Sequence, residues 1–253
     1  KIAAIEKKAA RIPESRVYAQ RERLTKELNW IVRDLAMQNP LLDFDEILFV
    51  KRAPTLFPHI SDQYYGWFSR GGGGIYILSG FKGNNPQLRC ITEGWPEGNF
   101  LRPDLSYDGT KVLFAWCRFY PDVAEVKDKT DRDALPEDSF YHLYEMNLDG
   151  TDVRQLTRGH YNDFDGRYLP NNDIVFMSTR KGIALQADQD SAAATCSATL
   201  PESYVRCGGD LKRPVPVFTL HRMAPDGSAI RAISAFENFE WTPAVNTDGQ
   251  VIY

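Results

Sequence analysis

A histidine and an acidic residue stand close together in two polar stretches of this sequence, a pairing that suits acid–base chemistry or metal binding. In the first, His59 precedes Asp62 by three residues, and Tyr64 and Tyr65 follow. Imidazole and carboxylate groups exchange protons near neutral pH and coordinate metals, while tyrosine rings stack on sugars or porphyrins. The alternative, which we favour, is a structural loop that joins two strands and satisfies buried backbone groups.

The second polar stretch contains His160, Asp163 and Asp165, three candidate metal ligands. Calcium prefers carboxylate and carbonyl oxygens at alternate positions, which Asp163 and Asp165 partly supply, although the pattern of an EF-hand is absent. We favour a turn that is capped by aspartate side chains. Arg180 is a further candidate for binding an anion, with a structural ion pair as the preferred interpretation.

Composition and missing motifs exclude several classes of function. The chain has 253 residues, a net charge of −4 and no basic footprint for nucleic acid. No apolar run reaches the roughly 18 residues of a membrane span. The sequence contains no G-x-S-x-G or C-x-x-C-H motif, and Gly71 to Gly74 lack the spacing of a nucleotide loop. Neither a serine hydrolase nor a haem attachment site is predicted, so no cofactor is expected within this chain.

The four cysteines show one suggestive spacing. Cys196 and Cys207 lie 11 positions apart and flank a polar stretch without strand character. A disulfide that closes this loop suits an oxidising compartment. Two unrelated free thiols are the alternative.

Recurring strand-and-turn units show how the chain is organised. One unit has an Asp-Gly or Asn-Asp turn before an alternating apolar strand, and it occurs at 102–116, 168–180 and 242–253. A companion unit shares Met, Asp-Gly, Arg and a closing aliphatic–hydroxyl pair, and it occurs at 143–157 and 220–234, with a weaker copy at 75–92. Since Asp, Asn and Gly tolerate hairpin turn conformations, each unit predicts two antiparallel strands.

Two consecutive units predict a four-stranded antiparallel sheet, too small to bury both of its faces alone. Stacking such sheets side by side covers them, so the sequence predicts the blades of a β-propeller, with a β-sandwich as the alternative. The predicted blades cover 44–92, 100–157 and 165–234, and a further one opens at 241–253. Closed propellers have about 4–8 blades, so we expect a longer polypeptide or another chain to supply the rest.

A helical segment precedes the strands. Residues 1–40 are rich in Lys, Arg, Glu and Ala, with Leu24, Leu28, Ile31 and Leu35 at helical spacing. The residue before Pro40 avoids the helical region, which ends the helix there. The sequence thus predicts an N-terminal helical segment in 1–40 and propeller blades in 41–253.

The patterns Leu-Tyr-x-Met-x2-Asp-Gly and Ser-x-Asp-Gly-x2-Val-x-Phe, first met at Leu143 and Ser106, resemble the TolB-type, or PD40, β-propeller repeat. More narrowly, several stretches are similar to the propeller of hydrazine synthase alpha subunits and their relatives: 49–52, 62–66, 103–109, 163–165, 168–170, 178–180 and 240–243. The resemblance covers roughly 44–253 and is more specific for fold than for function. It implies an exported protein, periplasmic or secreted.

Three functions follow as expectations. We favour a non-catalytic scaffold or binding module of a larger extracytoplasmic protein, with other domains or subunits as partners. The first alternative is a polysaccharide lyase or hydrolase with an axial site, whose candidate residues are His59, Tyr64, Tyr65, His160 and Arg180. The second, implied by the resemblance, is the propeller of a multihaem redox complex, whose c-type haem would belong to domains beyond this chain.

Overall fold

The computed structural model describes residues 2–10, 17–54, 62–126, 132–180, 218–234 and 239–253. The chain divides into two compact units, one of residues 1–46 with 79–87 and one of residues 47–78 with 88–253. The helices are α1 (Ile2–Ala9) and α2 (Val17–Ala36). The strands are β1 (Glu46–Arg52), β2 (Gly73–Ser79), β3 (Gln87–Cys90), β4 (Gly98–Leu105), β5 (Lys111–Arg118), β6 (His142–Asn147), β7 (Arg154–Gln155), β8 (Asp163–Tyr168), β9 (Ile174–Ser178), β10 (Thr219–Met223), β11 (Arg231–Ala232), β12 (Ala244–Val245) and β13 (Val251–Ile252).

The first unit consists of the helices and the turn between β2 and β3. The predicted apolar stripe lies on α2, where Leu24, Leu28 and Ile31 are half-buried and Leu35 is exposed. Arg33 donates to the carbonyl oxygens of Phe81 and Gly83. These bonds fix α2 to the turn within the first unit. In the described part of the chain, neither helix has the length and apolar character to cross a membrane.

The strands form four groups in the orders β1-β2-β3, β4-β5-β6-β7, β8-β9-β10-β11 and β12-β13, here called sheets 1 to 4. Pairing within sheets 2 to 4 is antiparallel. These helices and strands confirm the expectation of an all-β chain that follows a helical segment. The groups also match the predicted repeats, because each sheet falls within one predicted blade apart from its first residues.

The Asp-Gly turns form as the repeats predict. The Asp149 and Asp226 carboxylates each accept a hydrogen bond at 2.9 Å, from the backbone N–H groups of Thr151 and Ser228. The glycine that follows each aspartate has a positive φ, 89° at Gly150 and 85° at Gly227. Glycine adopts this conformation without the cost that a Cβ atom brings.

The closing hydroxyl of the repeat also has a structural role. The Ile75 N–H donates to the Thr92 hydroxyl at 3.0 Å, and the Leu143 N–H donates to the Thr157 hydroxyl at 2.9 Å. This shared bond makes β2 the counterpart of β6, and therefore β1 the counterpart of β5. Within the described residues, sheet 1 thus has no counterpart of β4.

Neighbouring sheets meet through the same contact twice. A Cβ atom on Gly150 of sheet 2 would lie 2.9 Å from the carbonyl oxygen of Ile91, just after sheet 1. A Cβ atom on Gly227 of sheet 3 would lie 2.4 Å from the carbonyl oxygen of Leu156, just after sheet 2. Equivalent residues therefore touch at both junctions.

Both faces of the central strand β5 are buried. Val112, Phe114 and Trp116 belong to one apolar cluster, and the alternate residues Leu113, Ala115 and Cys117 belong to another. Successive side chains of a strand point to opposite faces, so sheet 2 is covered on both sides. This burial is what side-by-side stacking of small sheets requires.

Candidate functional site

The first strands of sheets 2 and 3 carry β-bulges at the same place. The ladder of β4 shifts between Leu101 and Asp104, and that of β8 shifts between Phe164 and Arg167. In each bulge two residues oppose a single residue of the partner strand, Arg102-Pro103 opposite Phe114 and Asp165-Gly166 opposite Phe176. Bulges redirect side chains and occur often beside functional sites.

Charged side chains at the two bulges form ion pairs between the sheets. In β4 the arginine precedes the aspartate, whereas in β8 the aspartate precedes the arginine. Arg102 Nη1 lies 3.2 Å from Asp165 Oδ2, and Arg167 Nη1 lies 3.6 Å from Asp104 Oδ1. We call these four residues the bulge quartet. Two ion pairs thus join β4 to β8, one in each direction.

The backbone at the second bulge is strained. Asp165 has a φ of 51°, and Thr242, the equivalent residue before β12, has a φ of 43°. Residues with a Cβ atom rarely adopt this left-handed region. Gly166 lies so close to the neighbouring sheet that a Cβ atom there would be 2.7 Å from Leu113 Cδ2. Close packing between sheets therefore holds the bulge in its unusual conformation.

Asp165 is buried without well-aligned hydrogen bonds. Its side chain is 1% exposed, and neither carboxylate oxygen accepts a hydrogen bond of acceptable geometry. Burial raises the pKa of Asp165, and the charges of Arg102, Arg167 and Arg52 only partly oppose that effect. The contact with Arg102 is therefore electrostatic.

Tyr64 lies beside the bulge quartet. It ends the short 3₁₀ turn Asp62–Tyr64, and its hydroxyl accepts a hydrogen bond of 2.6 Å from Arg102 Nη2. Its ring stacks on Phe164 with centroids 4.7 Å apart and meets the edge of Trp241 at 5.8 Å. Burial raises the pKa of the Tyr64 hydroxyl. Tyr64 thus contacts β4, β8 and the segment before β12.

The other predicted tyrosine belongs to the core. Tyr65 is fully buried, and its ring stacks on Trp67 with centroids 4.9 Å apart. The rings of Tyr64 and Tyr65, which the sequence offers for stacking on a ligand, therefore stack on aromatic neighbours of the same chain.

Arg180 makes the structural ion pair that the sequence analysis favoured. Arg180 Nη2 lies 2.7 Å from Asp163 Oδ2 and also donates to the carbonyl oxygen of Arg158 at 2.7 Å. The Ser178 hydroxyl donates to the other oxygen of Asp163 at 2.6 Å. Both oxygens of the buried Asp163 are thus hydrogen-bonded.

His160 has different neighbours again. Its Nδ1 atom lies 3.2 Å from Asp133 Oδ1, and its ring packs edge-on against Phe140. His160, Asp163 and Asp165 therefore have separate partners, and the described residues include no group of three or more His, Cys, Asp or Glu side chains able to hold a metal ion. The metal hypothesis stays a prediction. His59, Cys196 and Cys207 lie outside the described residues.

The sequence analysis did not single out three of the charged residues near Tyr64. These are Arg52, Asp104 and Arg167, while Arg102 was noted only as the start of a repeat unit. A signal was present, because the aligned repeats read Arg-Pro-Asp at 102–104 and Asp-Gly-Arg at 165–167. Exchanged charges at equivalent positions indicate that neighbouring repeats face each other there.

No protein-family model matches the chain, and no curated protein matches its sequence. Among solved structures, a TolB candidate from Agrobacterium tumefaciens is similar over 68% of this chain and 41% of its own, with 20% identity and a TM-score of 0.38. Hydrazine synthase from Kuenenia stuttgartiensis is similar over 82% of this chain and 27% of its own, with 14% identity and a TM-score of 0.48. The chain thus spans less than half the length of either protein.

Proposed function

We propose that this chain is a non-catalytic β-propeller module, a scaffold or binding domain of a larger extracytoplasmic protein. The repeated junction carries this proposal, because Gly150 meets Ile91 as Gly227 meets Leu156. When equivalent residues touch at successive junctions, one rotation relates each sheet to the next, as in blades about an axis. The extracytoplasmic location rests on the resemblance of the repeat units to TolB-type repeats.

The incomplete sheet 1 supports a place in a larger assembly. Its strand β1 corresponds to β5, yet no described strand lies on the side where β4 would pair. An unpaired strand edge offers backbone donors and acceptors to another strand. We propose that another segment or subunit of the larger protein completes this sheet.

The contacts of the catalytic candidates support a non-catalytic role. The Tyr64 hydroxyl is bonded to Arg102, and Arg180 is held by Asp163 and the Arg158 carbonyl. Residues held in this way stabilise the junctions between sheets. A lyase or hydrolase would need some of these groups to turn toward a substrate.

Hydrogen exchange tests the module directly. In this chain alone, we expect β1 amides to exchange at every second residue, while β5 amides are protected throughout, because β5 has a strand on each side. Within the larger protein, both sets of β1 amides become protected. Equal exchange of β1 in the two samples would contradict the proposal.

An activity assay tests the non-catalytic part. We expect no turnover of neutral or acidic polysaccharides by the chain or by the larger protein. Turnover that both Tyr64→Phe and Arg180→Lys abolish, with unchanged folding by circular dichroism, would instead favour the lyase or hydrolase.

A further inference from the structure

An arginine stands at or just after the end of one strand in each of the first three sheets. Arg52 ends β1, Arg118 ends β5, and Arg180 follows β9 by two residues. Arg118 lies 3.8 Å from Asp138, and Arg180 lies 2.7 Å from Asp163. Two of these three arginines are therefore neutralised by a carboxylate.

Arg52 differs from Arg118 and Arg180. Its hydrogen-bond partner is the side-chain oxygen of Gln63, which carries no charge. Within the described residues, no carboxylate lies at ion-pair distance from Arg52, and the residue is exposed to solvent. The charge of Arg52 is thus available to an external anion.

A second guanidinium group bonds to the residue next to Gln63. Gln63 bonds to Arg52, and the next residue, Tyr64, accepts from Arg102 at 2.6 Å. One turn of chain therefore holds two arginines from different sheets. The charges of both arginines also oppose the rise in the pKa of Tyr64 and of Asp165 that burial causes.

Positive charge exceeds negative charge at this place. The guanidinium groups are those of Arg52, Arg102 and Arg167, whereas the carboxylates are those of Asp104 and Asp165. Asp165 is already engaged by Arg102, and Asp104 by Arg167. Among the described side chains at this place, Arg52 is thus the guanidinium group without a carboxylate partner, in a chain whose net charge is −4.

We propose that Arg52 and Arg102 bind a carboxylate group of a small organic acid. The planar fork of a guanidinium group matches a carboxylate in two parallel hydrogen bonds, and two such groups together select an anion over a neutral ligand. Arg52 is exposed and the Arg102 side chain is 37% exposed, so a ligand approaches from solvent. Tyr64 and Asp165, which contact Arg102, are buried, so the ligand would meet the exposed parts of the two arginines.

The inference gives the proposed module a ligand class but requires only these local contacts. A failure of this ligand proposal would therefore not affect the proposals about the stacking of the sheets and the unpaired edge of β1.

Calorimetric titration with succinate tests the site, with the neutral succinamide and with sulfate as matched probes. We expect one saturable succinate site, no binding of succinamide and weaker binding of sulfate. Arg52→Gln should weaken succinate binding about tenfold or more, the effect of losing a charge-assisted hydrogen bond. Arg52→Lys keeps the charge but lacks the planar fork. Its affinity for succinate should lie between that of the natural protein and that of Arg52→Gln.

The matched control is Arg118→Gln, which removes the arginine that ends β5 in the next sheet. We expect it to leave succinate affinity unchanged. Absence of saturable succinate binding, equal binding of sulfate, or equal losses in Arg52→Gln and Arg118→Gln would each overturn the proposal. Because Arg52 is exposed, its replacement does not threaten folding, and the unfolding midpoint of each variant verifies this.

Discussion

Asp163 and Asp165 stand two residues apart on β8, and both are buried, yet their surroundings differ. Asp163 pairs with Ser178 in the regular ladder and accepts hydrogen bonds from Ser178 and Arg180. Asp165 lies in the bulge at a positive φ, without aligned hydrogen bonds. Regular register places partners beside a carboxylate, whereas the bulge turns the second carboxylate away from its own sheet toward Arg102. The same residue type therefore stabilises one sheet at 163 and faces its neighbour at 165.

Replacing the two aspartates separately gives the largest expected difference. Asp163→Asn should lower the free energy of unfolding by about 3 kcal/mol, because it leaves the charge of Arg180 unpaired in a buried place. Asp165→Asn should change it by less than about 1 kcal/mol, because Arg102 is partly solvated and screened. Urea denaturation measures both values. Equal losses in the two variants would remove the distinction.

The junction glycines extend the comparison to packing between sheets. Gly227→Ala should destabilise the fold by about 2 kcal/mol, because it combines a left-handed backbone with a close approach to the Leu156 carbonyl. Gly150→Ala should cost somewhat less, since its nearest contact is longer. Gly109 is the control, with a φ of 70° and no neighbouring atom within 4 Å of an added Cβ. Gly109→Ala should cost about 1 kcal/mol from backbone strain alone, and a cost equal to that of Gly227→Ala would argue against the junction.

The pH dependence of stability sharpens the account of Asp165. Burial raises its pKa in the folded state, so the folded protein holds this proton more tightly than the unfolded chain does. The stabilising contribution is complete below the unfolded pKa of about 3.9 and is lost as pH rises through the folded value. The stability of the natural protein relative to Asp165→Asn should therefore fall as pH increases from 3.5 to about 7. A difference that stays constant over this range would show that burial does not perturb this carboxyl group.

The smallest expected effect concerns the hydroxyl that connects Tyr64 to the bulge quartet. Tyr64→Phe keeps the ring contacts with Phe164 and removes only the hydrogen bond from Arg102, so it should cost about 0.5–1 kcal/mol. Tyr107→Phe, whose hydroxyl donates to the Tyr168 carbonyl from an exposed position, is the control and should cost less. Thermal unfolding measures the loss of stability in both variants. An equal loss would show that the Tyr64 hydroxyl contributes no more than the hydroxyl of an exposed tyrosine.

Local features of the fold could be predicted from the sequence, and long-range ones could not. The Asp-Gly turns depend on neighbouring residues, and the aliphatic–hydroxyl pairs recur, so both were visible as repeats. Spacing alone makes Asp163 and Asp165 look alike in the sequence, because it does not reveal that only Asp165 lies in a bulge. The pair Arg102–Asp165 joins residues 63 positions apart on different sheets, a relation that periodicity within one strand does not contain. The sequence did not predict α1 as a separate helix, because the apolar stripe from Leu24 to Leu35 lies on α2 alone.

Distances between equivalent turns test most directly whether the sheets are arranged as blades. Pairs of spin labels at Tyr107, Asn171 and Thr247, introduced into a cysteine-free background, mark the first turns of sheets 2, 3 and 4. Rotation about a common axis predicts similar distances for 107–171 and 171–247, and a clearly longer distance for 107–247. A 107–247 distance equal to or shorter than the other two would indicate two facing layers and would contradict the propeller.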